Sequence, residues 1–135
     1  MKVNAKFYKA VFILVEIARA QQAGRIVNSV ILSKYYPGSD AALRVAYRGL
    51  RNAGLLESHQ GRSTVSLGKP ASDITLLDVL QASDETDGQL FAKKPKLMVE
   101  DEVQIESVQK FETAVMGAQV LFEDGLKKTT IADLI

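Results

Sequence analysis

The sequence predicts a mainly α-helical chain in which three helices lead into a small β-hairpin and a long helix follows. Three observations predict it. Apolar residues recur at helical spacing near both ends of the chain, and strand-like alternation is confined to residues 55–67. With 135 residues, 47% of them hydrophobic, the chain can bury one core but not two enzyme-sized ones.

The first helix is expected from about Ala5 to Gln21, with Phe7, Val11, Leu14, Ile17 and Ala18 as its inward stripe and Asn4 as its cap. Asn28 or Ser29 caps a short second helix carrying Val30, Ile31, Leu32 and Tyr35. Pro37-Gly38 then breaks the chain, because proline lacks an amide donor and glycine tolerates positive φ. From Ser39 or Asp40 a third helix runs to about Ala53, burying Leu43, Ala46, Tyr47 and Leu50 and placing Arg44, Arg48 and Arg51 at i, i+4 and i+7 beside that stripe.

Gly54 ends this helix. Residues 55–59 and 64–67 form a hairpin around a Gln60-Gly61 turn, with Val65 and Leu67 on one face. A short helix through Ile74, Leu77 and Leu80 follows, and Thr75 with Asp78 has the spacing of a capping box. Residues 84–96 are read as loop. From about Asp101 to Gly125 a long helix carries Val108, Phe111, Val115, Ala118 and Phe122 at alternating three- and four-residue spacing, a seam for another helix. Thr130 with Asp133 caps a last partial turn. The units expected are a winged helix-turn-helix domain over 1–83, a linker over 84–100, and a dimerisation helix with its closing turn over 101–135.

The formal net charge is only +1, but its distribution is uneven. Residues 1–70 carry eleven Lys and Arg against three Asp and Glu, and the remainder carries six against thirteen. A basic half of this kind suits a polyanion. Cysteine is absent and His59 is the single histidine, which removes disulfides, thiolate ligands, cysteine nucleophiles and a His/Cys zinc site. The acidic run Glu100-Asp101-Glu102 is accounted for as a helix start favoured by the dipole, and Tyr8, Phe12 and Tyr47 are read as core. No nucleophile is paired with a base, so no enzyme activity is expected. The apolar run 10–15 is too short to span a bilayer, so a cytoplasmic protein with no membrane partner is expected.

Helix, turn, helix and a basic hairpin tip together make a winged helix-turn-helix. The third helix would enter the major groove of double-stranded DNA, with Ser39, Ala41 and Ala42 near the base edges, Arg44 and Arg48 as contacts, and Arg51 at the backbone. Ala41 or Ala42 could meet a thymine methyl group. Arg62, at the hairpin tip, would reach the minor groove or its phosphates. The alternative is a protein-interaction module with this fold and only weak, nonspecific nucleic-acid binding.

Residues 12–18 (FILVEIA), 28–33 (NSVILS), 43–56 (LRVAYRGLRNAGLL), 72–82 (SDITLLDVLQA) and 126–134 (LKKTTIADL) resemble, in order and spacing, the bacterial winged-helix regulators that include the iron–sulfur cluster regulator and the nitric-oxide-sensing repressor. The resemblance implies a homodimeric transcription factor, usually a repressor, whose long C-terminal helix crosses to the partner and whose DNA reading lies in the helix over 39–51 and the wing. It assigns dimerisation to Val108, Phe111, Val115, Ala118 and Phe122, and implies a pseudo-palindromic operator. Well-studied members hold an iron–sulfur cluster through three cysteines before the long helix; this chain has none and looks like a cluster-free member, with no cofactor expected. Its wing also has fewer glycines than is usual in the family. A small-molecule effector has no ligand residue legible in the sequence.

Overall fold

The computed structural model describes residues 5–28, 40–59, 64–83, 89, 98 and 100–135. The expected second helix after Asn28, the Pro37-Gly38 break, the Gln60-Gly61 turn, Ser39, Arg62 and most of the linker lie outside them. The elements in chain order are α1 (Ala5–Gln22), β1 (Val27–Asn28), α2 (Asp40–Asn52), β2 (Leu56–His59), β3 (Thr64–Leu67), a 3-10 turn (Ala71–Asp73), α3 (Leu76–Ser83), α4 (Glu102–Lys127) and a closing 3-10 turn (Ala132–Leu134). The fold is mainly helical with one small antiparallel sheet, as the apolar periodicity predicts.

Helix α1 is the central post. Ile13, Leu14 and Ile17 on it are fully buried, with Phe7 and Val11 partly buried at its edge, and it packs on α2, α3 and β3. From α2 come Leu43, Tyr47 and Leu50, and from the sheet region Val27, Leu55 and Leu56. These groups close one core, so removal of any large member costs about 2–5 kcal/mol. Tyr8 and Phe12, expected in the core, are instead 59% and 52% exposed. They sit four residues apart on a stripe of α1 that continues through Glu16 to Arg19, a line of polar groups that turns away from Ile13 and Ile17.

Helix α2 ends where sequence chemistry requires. Gly54 adopts φ +76°, and the Gly54 and Leu55 amides donate to the Arg51 and Leu50 carbonyls at 3.0 and 2.9 Å. This is a Schellman closure, and its left-handed residue is strained for any side chain larger than hydrogen. The hairpin forms with Glu57 opposite Ser66 and His59 opposite Thr64. It is joined by β1, which pairs Val27 with Val65 and Asn28 with Thr64, so the strand order is β1-β3-β2. Asn28, one of the two residues offered as cap of the second helix, pairs in this third strand, and the helix it would cap lies outside the described residues.

Both capping boxes form as the spacing predicts. The Thr75 amide donates to Asp78 Oδ2 at 2.9 Å while the Asp78 amide donates to Thr75 Oγ1 at 3.1 Å. Thr130 and Asp133 repeat the exchange at 2.9 and 3.3 Å. The two boxes are adjacent in space: Thr75 bridges Thr130, the Leu76 amide donates to the Thr129 carbonyl, and the Ile131 amide donates to the Ile74 carbonyl. Ile131 is thereby fully buried in the core of the N-terminal unit. This stitch sets the direction in which α4 leaves the body of the molecule.

Helix α4 starts on Asp101, whose Oδ1 accepts from the Gln104 amide at 2.9 Å, confirming the acidic run as a helix start. It runs through Gly125, the expected terminator, to Lys127. Gly125 stays helical there, and the turn is made by the Lys128 amide donating back to its carbonyl. At 26 residues the helix is about 39 Å long. It packs on α3, and Gln119 is the one of its residues that is buried.

Tyr47 is 7% exposed, and its hydroxyl has no hydrogen-bond partner among the described residues. Burial pushes its pKa up to about 12. Because the folded pKa lies above the ordinary value of about 10, the folded state holds this proton longer than the unfolded chain does. The phenol therefore costs nothing extra below pH 10, and stability falls as pH rises from about 10 towards 12. A Tyr47→Phe variant is expected to match or exceed the parent by up to about 1 kcal/mol in urea unfolding at neutral pH. Its advantage should widen by up to about 2–3 kcal/mol by pH 12, and a constant difference across that window would contradict the assignment.

Candidate nucleic-acid interface

Helix α2 has three distinct sides. At about 100° per residue, Leu43, Tyr47 and Leu50 share the buried side, and Arg44, Arg48 and Arg51 span an arc of about 60° away from it. All three arginines are exposed, as are Ala41 and Ala42 near the helix start. Ala41, Ala42, Arg44, Arg48 and Arg51 are thus all exposed on one helix, with Ala42 on the flank opposite Arg44 and Arg51. Ser39 and Arg62 lie outside the described residues.

The three arginines are not equivalent. Arg51 Nη1 donates to Ser58 Oγ at 3.0 Å, tying the end of α2 to strand β2 of the wing. Arg44 and Arg48 make no ion pair or hydrogen bond through their guanidinium groups among the described residues. Two planar donor forks are thus held on a helix whose far side is locked in the core, the arrangement that bidentate contact to guanine or phosphate oxygens uses. On the wing, His59 Nε2 lies 3.0 Å from Ser66 Oγ across the β2–β3 pair, so the single histidine serves the hairpin surface.

Two lysines that the sequence reading left out, Lys6 and Lys9 of α1, line an open cleft of about 360 Å³ together with Ala42, Val45 and Gly49 of α2 and Ala82 of α3. The signal for them was the basic charge of the N-terminal half, which sequence alone could not place on a surface.

On α4 the expected seam divides. Phe111 is 69% exposed and Ala118 is exposed, whereas Val108, Val115 and Phe122 are half-buried. Val103 and Leu121, neither of them in the expected seam, are 71% and 74% exposed. Val103, Phe111, Ala114, Ala118 and Leu121 fall on one arc of the helix of about 80°, which adjoins the arc of Val108, Val115 and Phe122.

A family model described as Rrf2, iron-dependent transcriptional regulator, matches residues 3–135. The chain belongs to the Rrf2 family. Its members are transcriptional regulators, and the family resemblance read from the sequence is thereby confirmed. Solved structures similar to this chain include the oxidized form of Staphylococcus aureus CymR, at 22% identity and TM-score 0.66 over 99% of this chain and 95% of that one. CymR of B. subtilis, described as the global cysteine regulator, aligns at 21% identity and TM-score 0.68 over 99% and 95%. T. potens IscR aligns at 19% identity and TM-score 0.63 over 99% and 85%. At these identities the likeness establishes the winged-helix fold. No curated protein gives a significant match.

The Rrf2 description names iron, and the donor set of this chain does not fit a thiolate-held cluster. Cysteine is absent, the single histidine is on the wing, and among the described residues no three His, Asp or Glu side chains converge as a metal site would require. Among the described residues no helix is long and apolar enough to cross a membrane.

Proposed function

We propose that this Rrf2-family regulator is a cytoplasmic homodimer that binds a pseudo-palindromic operator in double-stranded DNA and represses transcription without an iron–sulfur cluster. The observation that carries the reading is the arginine side of α2. Arg44 and Arg48 stand exposed and uncommitted on a helix whose opposite side is core, with Arg51 bracing the wing beside them. In this reading α2 lies in the major groove. Ser39, Ala41 and Ala42 stand near base edges, Arg44 and Arg48 donate to bases or phosphates, and Arg51 and Arg62 serve the backbone and wing side.

The dimer is supported by the exposed apolar arc of α4. Val103, Phe111 and Leu121 present large apolar side chains to solvent along one side of α4, the kind of patch that marks an interaction surface, and a second copy offers the matching arc. Phe111 and Ala118 of the expected seam lie on it, while Val108, Val115 and Phe122 support it from the half-buried side. Selection from a random duplex pool tests the reading. It should enrich a site of two inverted half-sites with centres separated by one helical turn, about 34–36 Å, or a multiple of it. Recovery of a single half-site would contradict the dimer, and recovery of no sequence would contradict base reading altogether.

A further inference from the structure

Resting on that reading of α2, we propose that Lys6 and Lys9 of α1 form a second phosphate-binding element, gripping the groove wall that the arginines of α2 leave uncontacted. A helix lying in the major groove has a phosphate strand on each flank, because the groove is about 12 Å wide and the helix nearly fills it. On one flank of α2 stand Arg44 and Arg51. The opposite flank presents Ala42, Val45 and Gly49, and α2 carries no cation there.

The reason is packing against α3. A Cβ added at Gly49 would approach the Ala82 carbonyl oxygen to 2.7 Å, so the two backbones are already in contact and this flank has to be small. Cations for that wall must come from another element. Lys6 and Lys9 are one turn apart on α1 and border the same cleft as Ala42 and Val45. Lys6 is exposed and Lys9 half-buried, and each long stem can lie along the apolar lining of Val45 and Ala82 while its ammonium group stays at the mouth. The recognition helix is then flanked by arginines on one side and lysines on the other, and only the arginine side can read bases bidentately.

The test compares the full chain with its Lys6→Ala/Lys9→Ala and Lys6→Arg/Lys9→Arg double variants. Each is titrated with the selected operator and with an unrelated duplex across 50–200 mM salt. The alanine pair removes four lysines from each bound dimer and should make the slope of log affinity against log salt shallower by about 3–4 on both duplexes, so that affinity falls roughly 100-fold less over that range. The preference for the operator should stay unchanged, and the arginine pair should restore the slope. Acetylation of the parent protein followed by mass spectrometry gives a second readout that needs no variant: DNA should protect both ammonium groups. An unchanged slope in a folded alanine variant, or equal acetylation with and without DNA, overturns the proposal. Failure of the parent protein to prefer any duplex would instead count against the reading of α2.

Discussion

Arg48→Ala is expected to lower affinity for the selected operator by roughly 100-fold or more, because a dimer on two half-sites loses two bidentate base contacts of about 1–3 kcal/mol each. Arg48 is exposed, at the centre of the arginine arc, and is engaged with nothing among the described residues. Its loss therefore leaves no buried group unsatisfied, and the thermal midpoint and dimer should be unaffected. Binding to unrelated DNA should weaken much less, so the ratio between the two duplexes must shrink. Arg51→Ala should behave differently, since it removes the bond to Ser58 that fixes the wing against α2. There, affinity for both duplexes should fall together. Gel-shift titrations of both variants at two salt concentrations separate the outcomes, and an Arg48→Ala protein with the parent's operator preference would remove this residue from the interface.

The second large effect lies on α4. Phe111→Asp combined with Leu121→Asp should weaken dimerisation on the order of 1,000-fold or more. Each side chain is buried twice in a symmetric interface at about 1.5–3 kcal/mol apiece, and each substitution also leaves a charge there. Because both residues are exposed in the single chain, the monomer should fold normally. Operator affinity should fall as well, since a monomer engages one half-site at a time. Val115→Asp is the contrasting variant: it is half-buried within its own chain and should lower the unfolding midpoint. Sedimentation equilibrium distinguishes the two, and a Phe111→Asp/Leu121→Asp protein that remains dimeric at micromolar concentration would show that another surface assembles the molecule.

Much of this architecture was legible in residue spacing because the signals are local. The two Thr-x-x-Asp boxes, the acidic helix start at Asp101, Gly54 and the arginines at i, i+4 and i+7 depend only on near neighbours, and all formed as expected. What escaped depends on contacts distant in sequence. Strand β1 is two residues long, too short for any alternation, and exists because β3 lies beside it. The stitch between Thr75 and Thr130 joins segments fifty-five residues apart.

The α4 seam was blurred for another reason. The five residues occupy a single arc of about 80°, of which one edge, with Val108, Val115 and Phe122, is half-buried and the other, with Phe111 and Ala118, is exposed. Only the packing of α3 against α4 separates them. Tyr8 and Phe12 misled for a related reason, because aromatic character alone does not say which side of α1 faces inward. Lys6 and Lys9 were counted among the basic residues, but their place beside α2 follows from the crossing of two helices that the sequence does not specify.

Sequence-specific DNA recognition by the arginine side of α2 is tested most directly by competition. The parent protein is bound to the labelled operator at physiological salt and displaced with unlabelled operator or with a shuffled duplex of the same composition. Displacement by the shuffled duplex is expected to require at least about 1,000-fold more DNA. Equal displacement by the two duplexes would reduce the basic surface to nonspecific electrostatics and rule out base reading by α2.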